Sequence, residues 1–287
     1  MQSSLLLDSY CLNENYSFNS CTLCITQCEQ NALVFNDSSL NLIEEKCTLC
    51  AECIGICPTE NISLDTFDIN SFVSDFCEND SNTICDKKSL PSLAMLDSYH
   101  LISIVLRKRE NIFLEHTNSI SNKAFEFIED SIEKANYLLH SMGNQNSIFI
   151  KTVEDKYPTI EALRTKNLEK ENSNTPYKLS FMNDSLKIGC EDFNSTVLTI
   201  DNKETFFNKT ICNDSCENCQ DCVNNCPTNA LYTNEAKNEI HFISGKCIGC
   251  NNCINNCSKD AISSVDSIDL IEFAFNQSRL EVSFSRN

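Results

Sequence analysis

The sequence predicts an α+β chain in three parts: a small cysteine-caged module at each end and a small α/β domain with a parallel sheet between them. Two observations predict this. Of 20 cysteines, eight fall between residues 11 and 57 and eight between residues 216 and 257. The middle of the chain alternates helical and strand periodicity and holds only Cys77, Cys85 and Cys190. The expected boundaries are residues 1–66, an α/β domain over 67–153, an irregular linker over 154–209, and 210–287 with its tail.

In the N-terminal part, Cys47, Cys50, Cys53 and Cys57 form C-x₂-C-x₂-C-x₃-C followed by Pro58. Its partner is incomplete: Cys21, Cys24 and Cys28 are present, and Phe18 stands at the remaining cysteine position. The C-terminal part carries the pattern twice, as Cys216, Cys219, Cys222 and Cys226, then Cys247, Cys250, Cys253 and Cys257. This is the bacterial iron–sulfur spacing. Three thiolates within seven residues wrap one corner of a cubane, and the turn after them carries the fourth to the other cluster. Cys216, Cys219 and Cys222 then go with Cys257, and Cys247, Cys250 and Cys253 with Cys226. Likewise Cys47, Cys50 and Cys53 go with Cys28, and Cys21 and Cys24 with Cys57. Zinc sites use separated C-x-x-C pairs and have no use for the third and fourth cysteines of each run.

Each end resembles a two-cluster bacterial-type [4Fe–4S] ferredoxin, and the whole chain resembles a polyferredoxin. The resemblance covers residues 8–66 and 210–266. Each fourth cysteine has the family's apolar tail: Asn31-Ala32-Leu33, Asn61-Ile62, Asn229-Ala230-Leu231 and Asp260-Ala261-Ile262. It departs at Glu29 and Ser258, where proline is usual, and at Phe18. The fold it implies is two ferredoxin-like modules of short hairpins and helices flanking the α/β centre, with four [4Fe–4S] clusters. For the incomplete site three readings stand open. Cys11, ten residues upstream, completes it; or Cys21, Cys24 and Cys57 hold a [3Fe–4S] cluster or one with a non-thiolate ligand; or the cluster is lost. Cys11 is favoured, being a free thiol within chain reach.

In the centre, Pro91 opens an apolar-periodic segment through Leu93, Leu96, Ile104 and Leu106, and 111–115 reads as a buried strand. Residues 122–142 read as an amphipathic helix with Gly143 as C-cap, and 147–151 as a second strand. An earlier strand is expected near Ser71–Phe76 or Thr83–Cys85. Residues 154–180 are polar, with one helix expected near Thr159–Glu169. The tail starts as an amphipathic segment through Ile268, Ile271 and Phe275 and ends in the alternating Leu280, Val282 and Phe284.

Composition narrows the function. The formal net charge of −19 disfavours nucleic acid and anionic membranes. The five glycines form neither a dinucleotide fingerprint nor a P-loop. Leu101–Leu106, the best apolar stretch, is six residues long with Ser103 inside it and is far short of a membrane span. The N-terminus has no basic region and no long apolar core, so the chain reads as cytoplasmic. His100, His116, His140 and His241 enter no catalytic motif, and Cys212 is not needed by the motif after it. The resemblance implies an electron carrier, not an enzyme, serving a cytoplasmic redox enzyme such as a molybdenum- or flavin-dependent dehydrogenase, and the acidic charge suggests a basic docking patch on that partner. The alternatives are an enzyme subunit with a substrate or flavin site in the centre, and a cluster-based redox sensor or assembly protein.

Overall fold

A computed structural model of the chain describes residues 4–17, 19–117, 120–153, 174–190, 197–199 and 207–284. Phe18 and the helix expected near Thr159–Glu169 lie outside them. Strand β1 (Leu5–Leu7) is followed by the short helices α1 (Leu12–Asn15) and α2 (Leu23–Gln27) and the hairpin β2 (Leu33–Asn36) and β3 (Ser39–Leu42). Asp37 and Ser38 both take positive φ, 49° and 65°, which gives the two-residue turn the twist a hairpin needs. Strand β4 (Ile62–Leu64) then returns antiparallel to β1, with Leu5 opposite Leu64.

Helix α3 (Ile69–Glu78) covers the first of the two stretches considered for an early strand. Asp68 caps it by accepting from Ser71 N at 2.7 Å, and Ile69, Val73 and Phe76 fall on one buried face. The early strand is β5 (Thr83–Cys85). Helix α4 (Ser98–Lys108), β6 (Ile112–His116), α5 (Asn122–Ser141) and β7 (Ile148–Thr152) complete a parallel sheet in the order β5-β6-β7. Its central register sets Ile84 opposite Leu114 and Leu114 opposite Ile150. The segment opened by Pro91 turns helical in two steps. Leu93–Met95 is a 3₁₀ turn, and α4 begins at Ser98 because Asp97 caps it, accepting from His100 N at 3.1 Å. Gly143 follows α5 with φ 90° and donates its N–H to His140 O.

The stretch 154–209, expected to be irregular, contains a 13-residue helix, α6 (Tyr177–Gly189), and strand β8 (Val197–Thr199). Helix α6 packs on α4 through Leu179, Phe181, Met182 and Leu186. Lys178, Asn183 and Ser185 are buried on the same helix. Polar residues inside the buried face dilute the apolar period, so composition alone reads as linker.

The C-terminal part repeats the topology of the N-terminal part. Strand β9 (Lys209–Ile211), α7 (Asp221–Asn224), the hairpin β10 (Leu231–Thr233) and β11 (Glu239–Phe242), α8 (Asn252–Asn255) and β12 (Ile262–Ser264) follow in turn. Strand β9 pairs antiparallel with β12 as β1 does with β4. The amphipathic start expected for the tail is split between a strand and a helix. Ile268 lies in strand β13 (Ser267–Asp269), paired with β8, and α9 (Leu270–Ala274) buries Leu270, Phe273 and Ala274 while Phe275 is exposed. Asp269 stops the strand and starts the helix by accepting from Ile271 N and Glu272 N. Strand β14 (Arg279–Ser283) then joins β11, with Val282 opposite Ile240.

One core runs without a break from Leu5 and Leu33 through the central domain and α6 to Phe273 in α9. A smaller core, around Ile211, Leu231, Ile240, Phe242, Ile262 and Val282, serves the C-terminal part. The two ends touch directly. Asn19 Nδ2 donates to Cys250 O at 3.3 Å and to Asn252 Oδ1 at 2.7 Å.

Candidate metal centres

Four loops of the chain share one backbone device. Three residues after Cys28, Cys57, Cys226 and Cys257 come Asn31, Glu60, Asn229 and Asp260, with φ of 50°, 54°, 52° and 48°. This left-handed residue turns the chain back. The next N–H then points at the cysteine sulfur: Ala32 N to Cys28 Sγ and Asn61 N to Cys57 Sγ at 3.3 Å, Ala230 N to Cys226 Sγ at 3.2 Å, and Ala261 N to Cys257 Sγ at 3.3 Å. An N–H aimed at a ligating sulfur is the kind of outer contact that orients a metal ligand. The residues after the turn, among them Ala32, Leu33, Ile62, Ala230 and Ala261, are buried and wall the site from water.

The three intact cysteine runs share a second device. Positive φ recurs two and four residues after the first cysteine: Leu49 and Ala51, Asn218 and Gln220, Gly249 and Asn251. Alternating left-handed residues turn successive N–H groups inward, a nest suited to an anion. The incomplete run is built otherwise. Helix α2 starts at Leu23, between Cys21 and Cys24.

Cys11, at the N-cap of α1, lines one hollow with Cys21, Cys24 and Cys57, closed by Leu12, Phe35 and Leu40. A second hollow is lined by Cys226 together with Cys247, Cys250 and Cys253. In both, the fourth cysteine of one run joins the cysteines of the other. Cys53 is within electrostatic reach of Cys50, Cys24 and Cys28. Cys216 is within reach of Cys219 and Cys257, and Cys222 of Cys253 in the neighbouring set as well as of Cys216 and Cys219. Cys47 is half-buried against the main core, directly after the 3₁₀ turn Glu44–Lys46. Among the described residues, no three His, Cys, Asp or Glu side chains converge on a single ion-sized point. Four thiols around a hollow, each loop aiming N–H at sulfur, fit a cluster.

Residues 215–261 match the 4Fe-4S dicluster domain family. The matched span contains all eight cysteines from Cys216 to Cys257. No curated protein matches the chain. The dicluster domain marks an iron–sulfur, metal-binding chain of ferredoxin type with a role in electron transfer. Among the described residues, no helix is long and apolar enough to cross a membrane.

Burial raises five of the most enclosed thiols, two in the N-terminal part and three in the dicluster span. Desolvation, followed by the neighbouring sulfurs, pushes Cys24 and Cys222 up to about 12. Cys253 is raised to about 11, with Lys209 opposing the shift. Cys53 and Cys247 are raised well beyond the usual thiol range, again by burial first. Metal-free, these thiols are neutral near pH 7, so loading a cluster expels their protons.

The remaining cysteines stand elsewhere. Cys77 is pushed up to about 11 by burial, and Cys85 Sγ donates to Glu115 Oε2 at 3.2 Å. Cys190 ends α6. Cys212 is exposed, lowered by bonds from Ser215 and Asp214, and lies within electrostatic reach of Cys216. His116 meets Thr152 and His140 meets Ser147, both at 2.9 Å, while His241 faces Glu239 at 3.3 Å.

Two buried lysines beside the hollows escaped the sequence reading. Lys178 Nζ contacts Asp97 Oδ2 at 2.7 Å and Cys57 O at 2.8 Å. Glu60, in the Cys57 loop, accepts from Tyr177 N and Lys178 N, so α6 is anchored on that loop at two points. The Lys178 ammonium and His100 hold the Asp97 carboxyl well below the usual carboxylate range, against the cost of its burial. Lys209 Nζ donates to Asn251 Oδ1 and Ser264 Oγ, both at 2.8 Å. The signal that could have exposed Lys178 is a cation directly before the apolar Leu179, Phe181, Met182 and Leu186.

Proposed function

We propose that the chain is a polyferredoxin: a single relay of four [4Fe–4S] clusters passing electrons one at a time between partner oxidoreductases. The crossed ligand sets are those given above, with Cys11 completing the set of Cys21, Cys24 and Cys57. Iron–sulfur clusters supply reversible one-electron redox chemistry without bond making. The chain's own part is to hold the cages, exclude water with the apolar tails, aim N–H groups at sulfur, and fix the modules against each other. The observation that carries the relay reading is the direct contact of the ends. Asn19 bonds the Cys250 carbonyl, and the Tyr16 hydroxyl feels the Cys226 and Cys250 thiols. The Cys57 and Cys250 cages therefore face one another across Tyr16 and Asn19, which favours one continuous path over two separate carriers.

The net charge of −19 suits a partner with a basic docking patch, such as a molybdenum- or flavin-dependent dehydrogenase. Anaerobic iron and sulfide counting with redox-titrated EPR tests the reading. Four clusters on a folded chain are expected; an iron-free, colourless, folded protein would end it.

A further inference from the structure

Two lysines are buried beside the hollows, and both stand at the two cages that face each other. Lys178 is 4% exposed. Its Nζ reaches three acceptors: Asp97 Oδ2 at 2.7 Å, Cys57 O at 2.8 Å and Gly55 O at 3.4 Å. Three acceptors on one nitrogen call for three N–H donors, which an ammonium has and a neutral amine lacks. The ammonium stands between the carboxylate and the Cys57 loop, and Asp97 is bound in turn to His100 Nδ1 at 2.9 Å.

Lys209 is 3% exposed and lines the hollow of Cys226, Cys247, Cys250 and Cys253. Its two partners, Asn251 Oδ1 and Ser264 Oγ, are neutral oxygens, and its charge acts on Cys247, Cys250 and Cys253. The lysines near the other two cages are differently placed. Lys87, near Cys50, is half-exposed, and Lys259, near Cys219, is exposed and paired with Glu217 at 2.9 Å. Charges in water are screened; charges in a dry interior are not.

A cage that takes up one electron gains one negative charge and breaks no bond. A buried cation beside it therefore favours the reduced form. We propose that Lys178 and Lys209 make the Cys57 and Cys250 cages the higher-potential pair, so that electrons entering at either end settle at the junction of the modules. This rests on the relay reading.

The test is an anaerobic dithionite titration read by EPR on the unaltered chain, Lys178→Met and Lys209→Met, with Lys259→Met as the exposed control. Both buried-site variants are expected to keep their iron. Each lowers a different single midpoint, by about tenfold in the reduction equilibrium, or 59 mV for a one-electron couple. The control moves none. Midpoints unchanged in both variants would overturn the proposal. So would loss of a cage's iron in place of a shift, which assigns the lysine a structural role. An unaltered chain without iron would instead sink the relay reading beneath it.

Discussion

Cys11 stands ten residues before Cys21, yet its thiol lines the same hollow as Cys21, Cys24 and Cys57. Cys11→Ser is therefore expected to remove one cluster, about four irons per chain, and to leave the other three signals intact. Unchanged iron content and an unchanged reduced-state EPR spectrum would show that Cys11 is no ligand. The left-handed positions make a second expectation. Gly249 has φ 69°, and a Cβ there would stand 2.3 Å from the Phe207 ring. Gly249→Ala should cost roughly 1–2 kcal/mol in backbone strain, with the clash added, and loosen the Cys250 cage. Asn218 occupies the equivalent place in the preceding run at φ 57°. Asn218→Gly should cost less than Gly249→Ala, since glycine takes that conformation freely and only the bond from Asn218 Nδ2 to Lys237 O is lost. Thermal melts of both variants under anaerobic conditions check the contrast, and equal effects would show that the left-handed backbone is not the cause.

Helix α6 shows what an element adds to these cages and why it was hard to read. The cysteine runs are legible because cluster ligation dictates spacing within a few residues, and the strands at Ile112 and Ile148 are legible because they are short apolar runs. Helix α6 hides because Lys178, Asn183 and Ser185 interrupt its buried face, and what satisfies them lies far away in the chain: Cys57, Asp97, Arg107 and Gly245. The contact of the two ends was equally illegible, being made by an asparagine and a main-chain carbonyl. The Asp97 pairing gives the element a pH signature. Its folded carboxyl lies below the unfolded value of about 3.9, so its stabilisation is whole above that value and drains away as pH falls below it. Asp97→Asn keeps a competent cap for α4 but leaves the Lys178 ammonium buried without its anion. A loss of about 3–5 kcal/mol near neutral pH is expected. The variant's stability should also depend less on acid than that of the unaltered chain. A variant and parent with coincident stability curves from pH 7 to pH 2 would show that the pair contributes nothing.

At the scale of the whole molecule, charge and core division govern behaviour. A chain of −19 should dock its partner by long-range attraction, so electron delivery should slow as ionic strength rises. A rate indifferent to salt would remove the basic patch from the partner's description. The two cores set the response to metal removal. The N-terminal part shares its core with the central domain, so Leu33, Ile62 and Phe67 belong to the same apolar cluster as Val73 of α3 and Leu101 of α4 and do not rely on the cysteines alone. The C-terminal part has its own small core around Leu231, Phe242 and Ile262, bordered by Cys216, Cys226, Cys247 and Cys257. A core of that size depends on its metal, because emptying the hollows removes the crosslinks between its two small sheets. Anaerobic chelation is therefore expected to unravel 209–264 first, with hydrogen exchange rising there while amides of 98–139 stay protected. Strand β14 should lose protection with that unit, since it pairs with β11. Helix α9 should not, because Phe273 and Ala274 belong to the main core. If α9 opens together with 209–264, or the central helices open at the same rate, the ends and the centre form one cooperative unit and the division into two cores has no thermodynamic meaning.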